Sequence, residues 1–516
     1  MFKLFHTASA VALLMAAAPA LAQTGAAATD VEQVVVTATG RSSATSTTKT
    51  NTPIIESAQS ISVISRAEID LRASPTIADA LAYTAGVQSE SFGIDSRVDE
   101  VSVRGFGAGG FSSNNNFVDG LRLPSGGQWT RPGFDAFALE QIEVLKGPSG
   151  ALYGQTAPGG VVNIVTKRPT EVPHGEIMLQ GTGYTDLDNW NWQAAGDFSG
   201  PLIENVSGRI VGLARDGDTQ VDGVKNARYY VSPSLSWRPT DATTWTLLGQ
   251  FQRDEGGSTF QFLPALGSLR ASTGRYIAND ANIGEPDWNT FNRDQHLLGS
   301  FFEHHFNDTF TIRNNTRYTH LKTLYRVVVL SGDTLTTCSA SISGCVAGQT
   351  VARRAVEGRG DSDGWATDTQ LEARFRTGGV DHTVLGGFDH FYTEWQHYRD
   401  LVTSSLVLPM LNIFDPQPRG VTGFSKALNA QVYTETVSRQ NGVYLQDQIS
   451  AGKLRVTLGG RQDWAYDNTY NAISKERYIT KSDAFTWRAG AVYLLDNGLA
   501  PYASYSESFQ PQVASP

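Results

Sequence analysis

The sequence is poor in cysteine, in net positive charge and in long apolar runs. Only two of its 516 residues are cysteine. Beyond the first 22 residues no run approaches the roughly 20 apolar residues that a membrane-spanning helix needs. The net charge of −10 argues against nucleic-acid binding, which calls for a basic surface. No G-x-S-x-G or H-E-x-x-H motif stands in its expected context, so nothing indicates an enzyme.

The two cysteines, Cys338 and Cys345, lie close together in a segment rich in Ser, Thr and Gly. This setting predicts a disulfide that closes a short loop and contributes about 2 to 3 kcal/mol. A redox or metal site is the alternative, but the pair has no further zinc ligands nearby.

The first 22 residues have the composition of a secretory signal. Lys3 gives a positive start, an uncharged apolar run follows at residues 8–18, and Ala20-Leu21-Ala22 provides a cleavage site. A membrane anchor is the alternative, but the run is too short to span a bilayer. We therefore expect an exported protein.

A flexible tail is predicted for residues 23–53, where Ala, Thr and Ser dominate. It holds one β-branched segment, and such a segment in a disordered tail can add as a strand to the sheet edge of another protein. The segment consists of Val34, Val35, Val36, Thr37 and Ala38.

Residues 54–169 predict a small mixed domain of short strands and helices. Period-two alternation predicts strands within residues 60–65, 101–106 and 139–169. Local signals add a capping box (Ser65, Glu68), a second helix from Ser74-Pro75 to Ala82 and a tight turn at Asp119-Gly120.

Gly105, Gly107 and Gly110 match the G-x-G-x-x-G pattern of dinucleotide-binding proteins. That pattern marks a site only where a helix opens at the glycines. A Ser- and Asn-rich segment follows instead, so we do not expect a nucleotide site.

After residue 169 apolar and polar residues alternate along many segments. Leu371 and Phe375, for example, alternate with Gln370 and Glu372. A soluble β-sandwich also alternates, but here short turns alternate with long loops, such as residues 256–289 and 331–364. Short turns at one end and long loops at the other are typical of a transmembrane β-barrel.

Several of these segments resemble those of TonB-dependent outer-membrane siderophore receptors, in particular the ferrichrome or hydroxamate-type branch. Residues 139–169 resemble the plug domain of that family, as do R-G-F and V-D-G-L-R, while residues 33–38 resemble its TonB box. In the barrel part the resemblance is carried by residues 284–289, 302–306, 412–416, 444–448 and 458–461.

The resemblance implies an antiparallel transmembrane β-barrel with an N-terminal mixed α/β plug in its lumen. The expected boundaries are a signal peptide at 1–22, a periplasmic tail with the TonB box at 23–53, a plug at 54–169 and a barrel at 170–516. About thirteen strands are countable between residues 176 and 508, whereas plugged transporters have about 22. We therefore expect a partial barrel that lacks its C-terminal strands.

The resemblance also implies the function: energy-coupled import of a ferric siderophore across the outer membrane of a Gram-negative bacterium, without catalysis and without a cofactor. The expected partners are the siderophore, the periplasmic TonB complex and the lipid and lipopolysaccharide around a monomeric barrel. Other cargo (cobalamin, a saccharide, another iron chelate) and a surface-binding barrel without transport are the alternatives.

The siderophore fills the coordination sphere of its own iron, so no metal ligand is expected from the protein. The family's ligand face maps onto Arg104, Gln128, Trp129 and Phe137. Ferrichrome-type receptors commonly carry a tyrosine where Phe137 stands, and packing in the plug is the alternative for this residue. Arg104 and Lys146 have a second expected role, pairing with carboxylates of the barrel wall.

His304 and His305 are adjacent but do not predict a metal site. Neighbouring residues of a strand point to opposite faces, so the two rings cannot chelate one ion.

Overall fold

The computed structural model describes residues 48–89, 101–106, 116–124, 127, 130–184, 188–339, 344–405, 407–424 and 429–511. All of them fall in one unit, Gly40–Pro516. The predicted signal, residues 34–38, Gln128 and Trp129 lie outside the described residues. No helix in the described ranges is long and apolar enough to cross a membrane.

The plug consists of short strands and helices, as the local sequence signals predict. Its main sheet has the order β1-β6-β7-β4-β5, and β2 pairs with β3 apart from it. The elements are β1 (Ser60–Ser65), α1 (Arg66–Leu71), α2 (Ile77–Leu81), β2 (Val87–Ser89), β3 (Val101–Val103), β4 (Asn116–Val118), β5 (Leu121–Arg122), β6 (Leu139–Lys146), α3 (Gly150–Tyr153) and β7 (Gly160–Thr166).

The plug core lies between this sheet and the first two helices. Ile142 and Val144 on β6 and Ile164 on β7 are buried with Ile69 of α1 and Leu81 of α2. These are the apolar positions of the alternating pattern, and burial of such side chains contributes about 1.5 to 3 kcal/mol each.

The N-cap of the predicted capping box is confirmed, because Ser65 precedes α1 and its hydroxyl accepts from the Glu68 N–H at 3.4 Å. The predicted start of the second helix is wrong. The N-cap is Thr76, whose hydroxyl accepts from the Asp79 N–H at 3.1 Å. Thr76 also forms a β-bridge with Asp135, which keeps the chain extended up to the cap.

The predicted Asp-Gly turn is confirmed between β4 and β5. Asp119 and Gly120 have φ angles of 49° and 77°, as a two-residue hairpin turn with the twist of its strands requires. Asp119 also accepts from the Thr166 N–H at 2.9 Å, which ties the turn to β7.

Most of the described residues after the plug form one large antiparallel sheet. Thirteen strands follow one another along a single path from β8 to β21, in agreement with the predicted number, and the short β17 pairs with β15 beside that path. The strands are β8 (His174–Gly183), β9 (Trp190–Ile203), β10 (Val206–Gly217), β11 (Asn226–Thr240), β12 (Thr243–Gly256), β13 (Thr290–His305), β14 (Phe310–Thr334), β15 (Thr350–Thr377), β16 (Val380–Val402), β17 (Leu411–Asn412), β18 (Asn429–Ala451), β19 (Leu454–Asn471), β20 (Glu476–Tyr493) and β21 (Tyr502–Ser506), with α4 (Ala265–Ser268) in the loop after β12.

The sheet exposes its apolar face and buries its polar one. On β15 the side chains of Leu371 and Phe375 are 48% and 47% exposed, whereas Gln370 and Glu372 are 5% and 1% exposed. A soluble sandwich has the opposite arrangement. An apolar outer face around a polar lumen is that of a membrane barrel.

The connections define two ends of the sheet. At the turn end the links are short, such as residues 241–242, 378–379 and 452–453. At the loop end one link covers residues 257–289, as predicted. The other predicted long loop is shorter, covering 335–349, because β14 and β15 extend further as a paired hairpin.

The plug lies against the inner, polar face of the sheet. The Gly133 N–H donates to the Gln295 side chain of β13 at 3.0 Å, and the Gln295 amide donates back to the Gly133 carbonyl at 3.1 Å. In the part of the chain that the structure describes, the first and last strands of the path, β8 and β21, do not pair with each other.

Candidate functional site

Described residues on either side of the predicted ligand residues Gln128 and Trp129 contact the wall strands β14 to β16. Before them, Pro124 packs against Gly364 of β15. Gly127 has a φ of 74°, and a side chain there would meet the His397 ring of β16 at 3.0 Å. After them, the Thr130 and Thr323 hydroxyls are 2.9 Å apart. The wall therefore fixes both flanks of the predicted ligand residues.

Beside these flanks, the inner face of β16 carries Trp395, His397 and Arg399, one every second residue. The Trp395 and His397 rings are 6.5 Å apart. The positive charges of Arg399 and of Arg354 on β15 are close enough to interact. The Arg354 guanidinium lies 5.5 Å from the centre of the Phe262 ring. Sequence reasoning missed this surface, although its period-two spacing was a usable signal.

Such a surface can hold a large ligand with an oxygen-rich periphery. Guanidinium groups donate several hydrogen bonds in a fixed plane, and aromatic rings pack on flat apolar parts of a ligand.

Arg104 and Lys146 are brought together, but on the plug itself. Arg104 is exposed, has a φ of 52° and lies with its guanidinium beside Gly147. The Lys146 ammonium donates to the Ser62 hydroxyl at 2.9 Å, and burial together with Arg104 lowers its pKa. Among the described residues no carboxylate lies within 4.0 Å of either cation, so the expected pairing with the wall is not found there.

Phe137 is buried at the junction of plug and wall. It packs in one cluster with Ala195 of β9 and Val211 of β10, and the Lys167 ammonium lies 4.3 Å from the centre of its ring. These contacts match the packing alternative for Phe137. A role in ligand contact stays a prediction.

Buried ion pairs attach the plug to the wall at separate places, and sequence reasoning did not identify them. Near the loop end, Asp135 accepts from Arg215 of β10 at 2.7 Å and from Arg228 of β11 at 3.3 Å. Lower in the lumen, the Asp119 carboxylate pairs with Arg317 of β14 and, at 3.2 Å, with Arg168.

Asp119 is held in its ionised form by these partners. Burial raises the pKa of its carboxyl, but Arg168, Arg317 and the hydrogen bonds from Thr166 together outweigh burial, and the net pKa lies below the usual value of 3.8. The Thr166 N–H and hydroxyl also donate to it.

At the end of the plug, Lys167 is paired with Asp197 of β9. Its ammonium donates to Asp197 at 2.8 Å, and Arg209 of β10 donates to both oxygens of that carboxylate, at 2.7 and 2.6 Å. Removing one partner of such a buried pair typically costs 3 to 5 kcal/mol. The plug is therefore anchored to the wall.

The two cysteines and the two adjacent histidines make structural contacts. Cys338 and Cys345 form a disulfide. His304 and His305 contact different threonines, Thr243 and Thr311, each at 2.8 Å.

Among the described residues, two triads bring possible metal ligands within 4.8 Å of one another. In one, of His174, Glu176 and Asp197, the aspartate is already paired with cations. The other consists of His320, Asp361 and Asp363, and its aspartates share the outward face of β15.

Comparison with known proteins agrees with this architecture. The family model described as "TonB dependent receptor-like, beta-barrel" matches residues 233–515, and "TonB-dependent Receptor Plug Domain" matches residues 53–161. The chain is 36% identical, over 92% of its length, to the ferrichrome outer membrane transporter/phage receptor of Escherichia coli K12. It is 34% identical, over 90% of its length, to the ferrioxamine receptor of Yersinia enterocolitica.

The chain spans 64% and 63% of the lengths of these two relatives. Among solved structures, the open form of the ferric-catecholate import receptor Fiu of E. coli K12 matches with a TM-score of 0.75 at 22% identity. That match covers 89% of this chain and 71% of the other. It shows a shared fold.

Proposed function

The chain belongs to the TonB-dependent receptor family, and on that premise we propose that it imports ferric siderophores of the hydroxamate class across the outer membrane. The observation that carries the proposal is the anchored plug. A lumen occupied by a domain held through buried ion pairs does not serve as a passive pore, so passage requires energy to move the plug.

The names of the two relatives support the hydroxamate class, since ferrichrome and ferrioxamine are both hydroxamates. The rings and guanidinium groups of the surface beside Gly127, namely Trp395, Arg399 and Arg354, fit the periphery of such a chelate. Binding at this surface and at Arg104, Gln128 and Trp129 would bring the cargo to rest on the plug.

The remaining partners follow from the family. Residues 34–38 would pair as a strand with the periplasmic TonB protein, which supplies the pull. The apolar outer face of the sheet would contact outer-membrane lipid and lipopolysaccharide, with the receptor as a monomer.

Uptake of radioactive iron by cells that depend on this receptor tests the cargo. Ferrichrome and ferrioxamine B should be taken up, and catecholate and citrate chelates should not. Uptake of only a catecholate or citrate chelate would overturn the hydroxamate assignment, and uptake of none would overturn siderophore import.

Deletion of residues 34–38 tests energy coupling. Because this segment lies far along the chain from the ligand surface, the deletion should abolish uptake and leave siderophore binding within twofold of wild type. Loss of binding to the same extent as uptake would contradict its role as a coupling segment.

A further inference from the structure

Two cavities separate the plug from one sector of the wall, and Lys49 stands between them. The larger, about 480 Å³, lies near the turn end and is lined by Arg313 of β14 and Arg374 of β15. The other lies deeper in the lumen, where Arg122 of the plug faces Phe391 of β16. Lys49 lines both cavities.

Lys49 is held in place by the wall. Its ammonium donates to Asp368 of β15 at 2.9 Å and lies 3.9 Å from the Asp389 carboxylate of β16. It also lies 4.2 Å from the centre of the Tyr444 ring of β18. The side chain is 6% exposed, and its backbone has a φ of 56°, which a residue with a Cβ rarely adopts.

The residues around Lys49 hold the tail through polar contacts with β18. The Gln446 amide donates to the Thr48 carbonyl at 3.1 Å, and the Gln448 amide donates to the Thr50 hydroxyl at 2.7 Å. Hydrogen bonds of this kind can be exchanged for bonds to water. Water can therefore replace these contacts when the tail leaves the wall.

The same sector continues towards the loop end. Pro124, Gly127 and Thr130, which flank the predicted ligand residues, rest on β14, β15 and β16 above the deeper cavity. A single strip of the wall thus runs from the contacts of Pro124, Gly127 and Thr130 past the deeper cavity and Lys49 to the larger cavity.

We propose that the cargo leaves the receptor along this strip and that Lys49 closes the strip at rest. The inference rests on the proposed function. A pull on the tail draws the ammonium away from Asp368 and Asp389 and joins the two cavities. The larger cavity is lined mainly by polar and charged side chains, and the deeper one by aromatic and charged side chains, so the joined path suits a hydrophilic chelate that also has apolar parts.

A thiol in the deeper cavity reports whether the strip is open. The native cysteines are disulfide-bonded, so Ala366→Cys, at a position that lines this cavity and is buried, supplies the only free thiol. A small anionic methanethiosulfonate is added to cells, and modification is followed by mass spectrometry. Ser234→Cys, a buried position on the inner face of β11, is the matched control.

At rest, Ala366→Cys should resist modification, and adding Lys49→Met should speed it at least tenfold. Lys49→Arg keeps the charge and should leave the rate at rest unchanged. Ser234→Cys should stay unmodified with either residue at position 49. Equal rates with Lys49 and Lys49→Met, or equal acceleration at Ser234→Cys, would overturn the proposal.

A disulfide between Thr50→Cys and Gln448→Cys tests the same idea without removing the charge. It should abolish ferrichrome uptake until reduced and leave ferrichrome binding intact. A disulfide between Ser236→Cys and Thr246→Cys, whose native hydroxyls are 2.6 Å apart within the wall, should leave uptake unchanged. Uptake through the tethered tail would overturn the proposal.

These experiments test the exit strip separately from the proposed function. The comparison of Lys49→Met with wild type uses no cargo, so its failure counts against the exit strip alone. Absence of ferrichrome or ferrioxamine uptake by the wild type counts against the proposed function alone.

Discussion

Replacing Asp197 by asparagine should loosen the end of the plug more than any exposed substitution. The side chain keeps its shape but loses the charge that Lys167 and Arg209 share. Asp197 is 0% exposed, so both cations would be left buried without their carboxylate. Such a loss costs about 3 to 5 kcal/mol.

Hydrogen exchange measures this cost directly, because amides of β7 exchange when the end of the plug opens. At about 1.4 kcal/mol for each factor of ten, opening should become roughly a hundredfold to several thousandfold more frequent. The control is Glu255→Gln, which breaks the ion pair with Arg253. In this pair the Arg253 side chain is 62% exposed and the Glu255 side chain 43% exposed. Exposed pairs contribute about 0 to 1 kcal/mol, so β7 exchange should not change. Equal exchange of β7 in both variants would refute the reasoning.

Three further outcomes are expected. Phe137→Ala should raise amide hydrogen exchange around residues 136–138, because it removes about 3 to 5 kcal/mol of packing. Siderophore affinity should change less than twofold. A tenfold loss of affinity would place the ring in the ligand site instead. Because the pKa of Asp119 lies below 3.8, its pairing should persist on acidification to pH 4.5 and be lost only below the usual aspartate value; exchange of the β4–β5 turn, followed against pH, checks this. Replacing Cys338 and Cys345 by serine should destabilise only their loop, by about 2.5 kcal/mol, leaving the Tm of the receptor unchanged in calorimetry.

Local signals in the sequence predicted most of the fold. Alternation around Leu371 identified a membrane strand because one face contacts lipid and the other the lumen. The N-cap at Ser65 was predicted correctly because its signal needs only four consecutive residues. The helix start at Ser74 failed because Thr76 is equally suited to cap a helix, and its bridge to the distant Asp135 decided between them.

The long hairpin of β14 and β15 was mistaken for a loop for a related reason. These strands have 25 and 28 residues, whereas about 9 to 11 cross a bilayer. Beyond the membrane both faces of a strand meet polar surroundings, so the period-two contrast fades there. The alternating pattern then no longer separates strand from loop.

The buried ion pairs between plug and wall could not be predicted from the sequence, for a different reason. Lys49 and Asp368 are 319 residues apart, and a single charge on a predicted strand looks the same whether it faces water or a partner. Only the placement of the plug inside the sheet shows that these charges are buried.

The order of strands in the plug determines how a mechanical force would travel through it. Among the described strands, β1 is the first in the chain and lies at the edge of its sheet, with β6 as its single neighbour. The opposite end of the plug is fixed to β9 and β10 through Lys167. Tension on the tail therefore loads β1 before any other strand. Its six register pairs with β6 can break while β6, β7, β4 and β5 stay paired, so the plug has a weak first step and a stronger remainder.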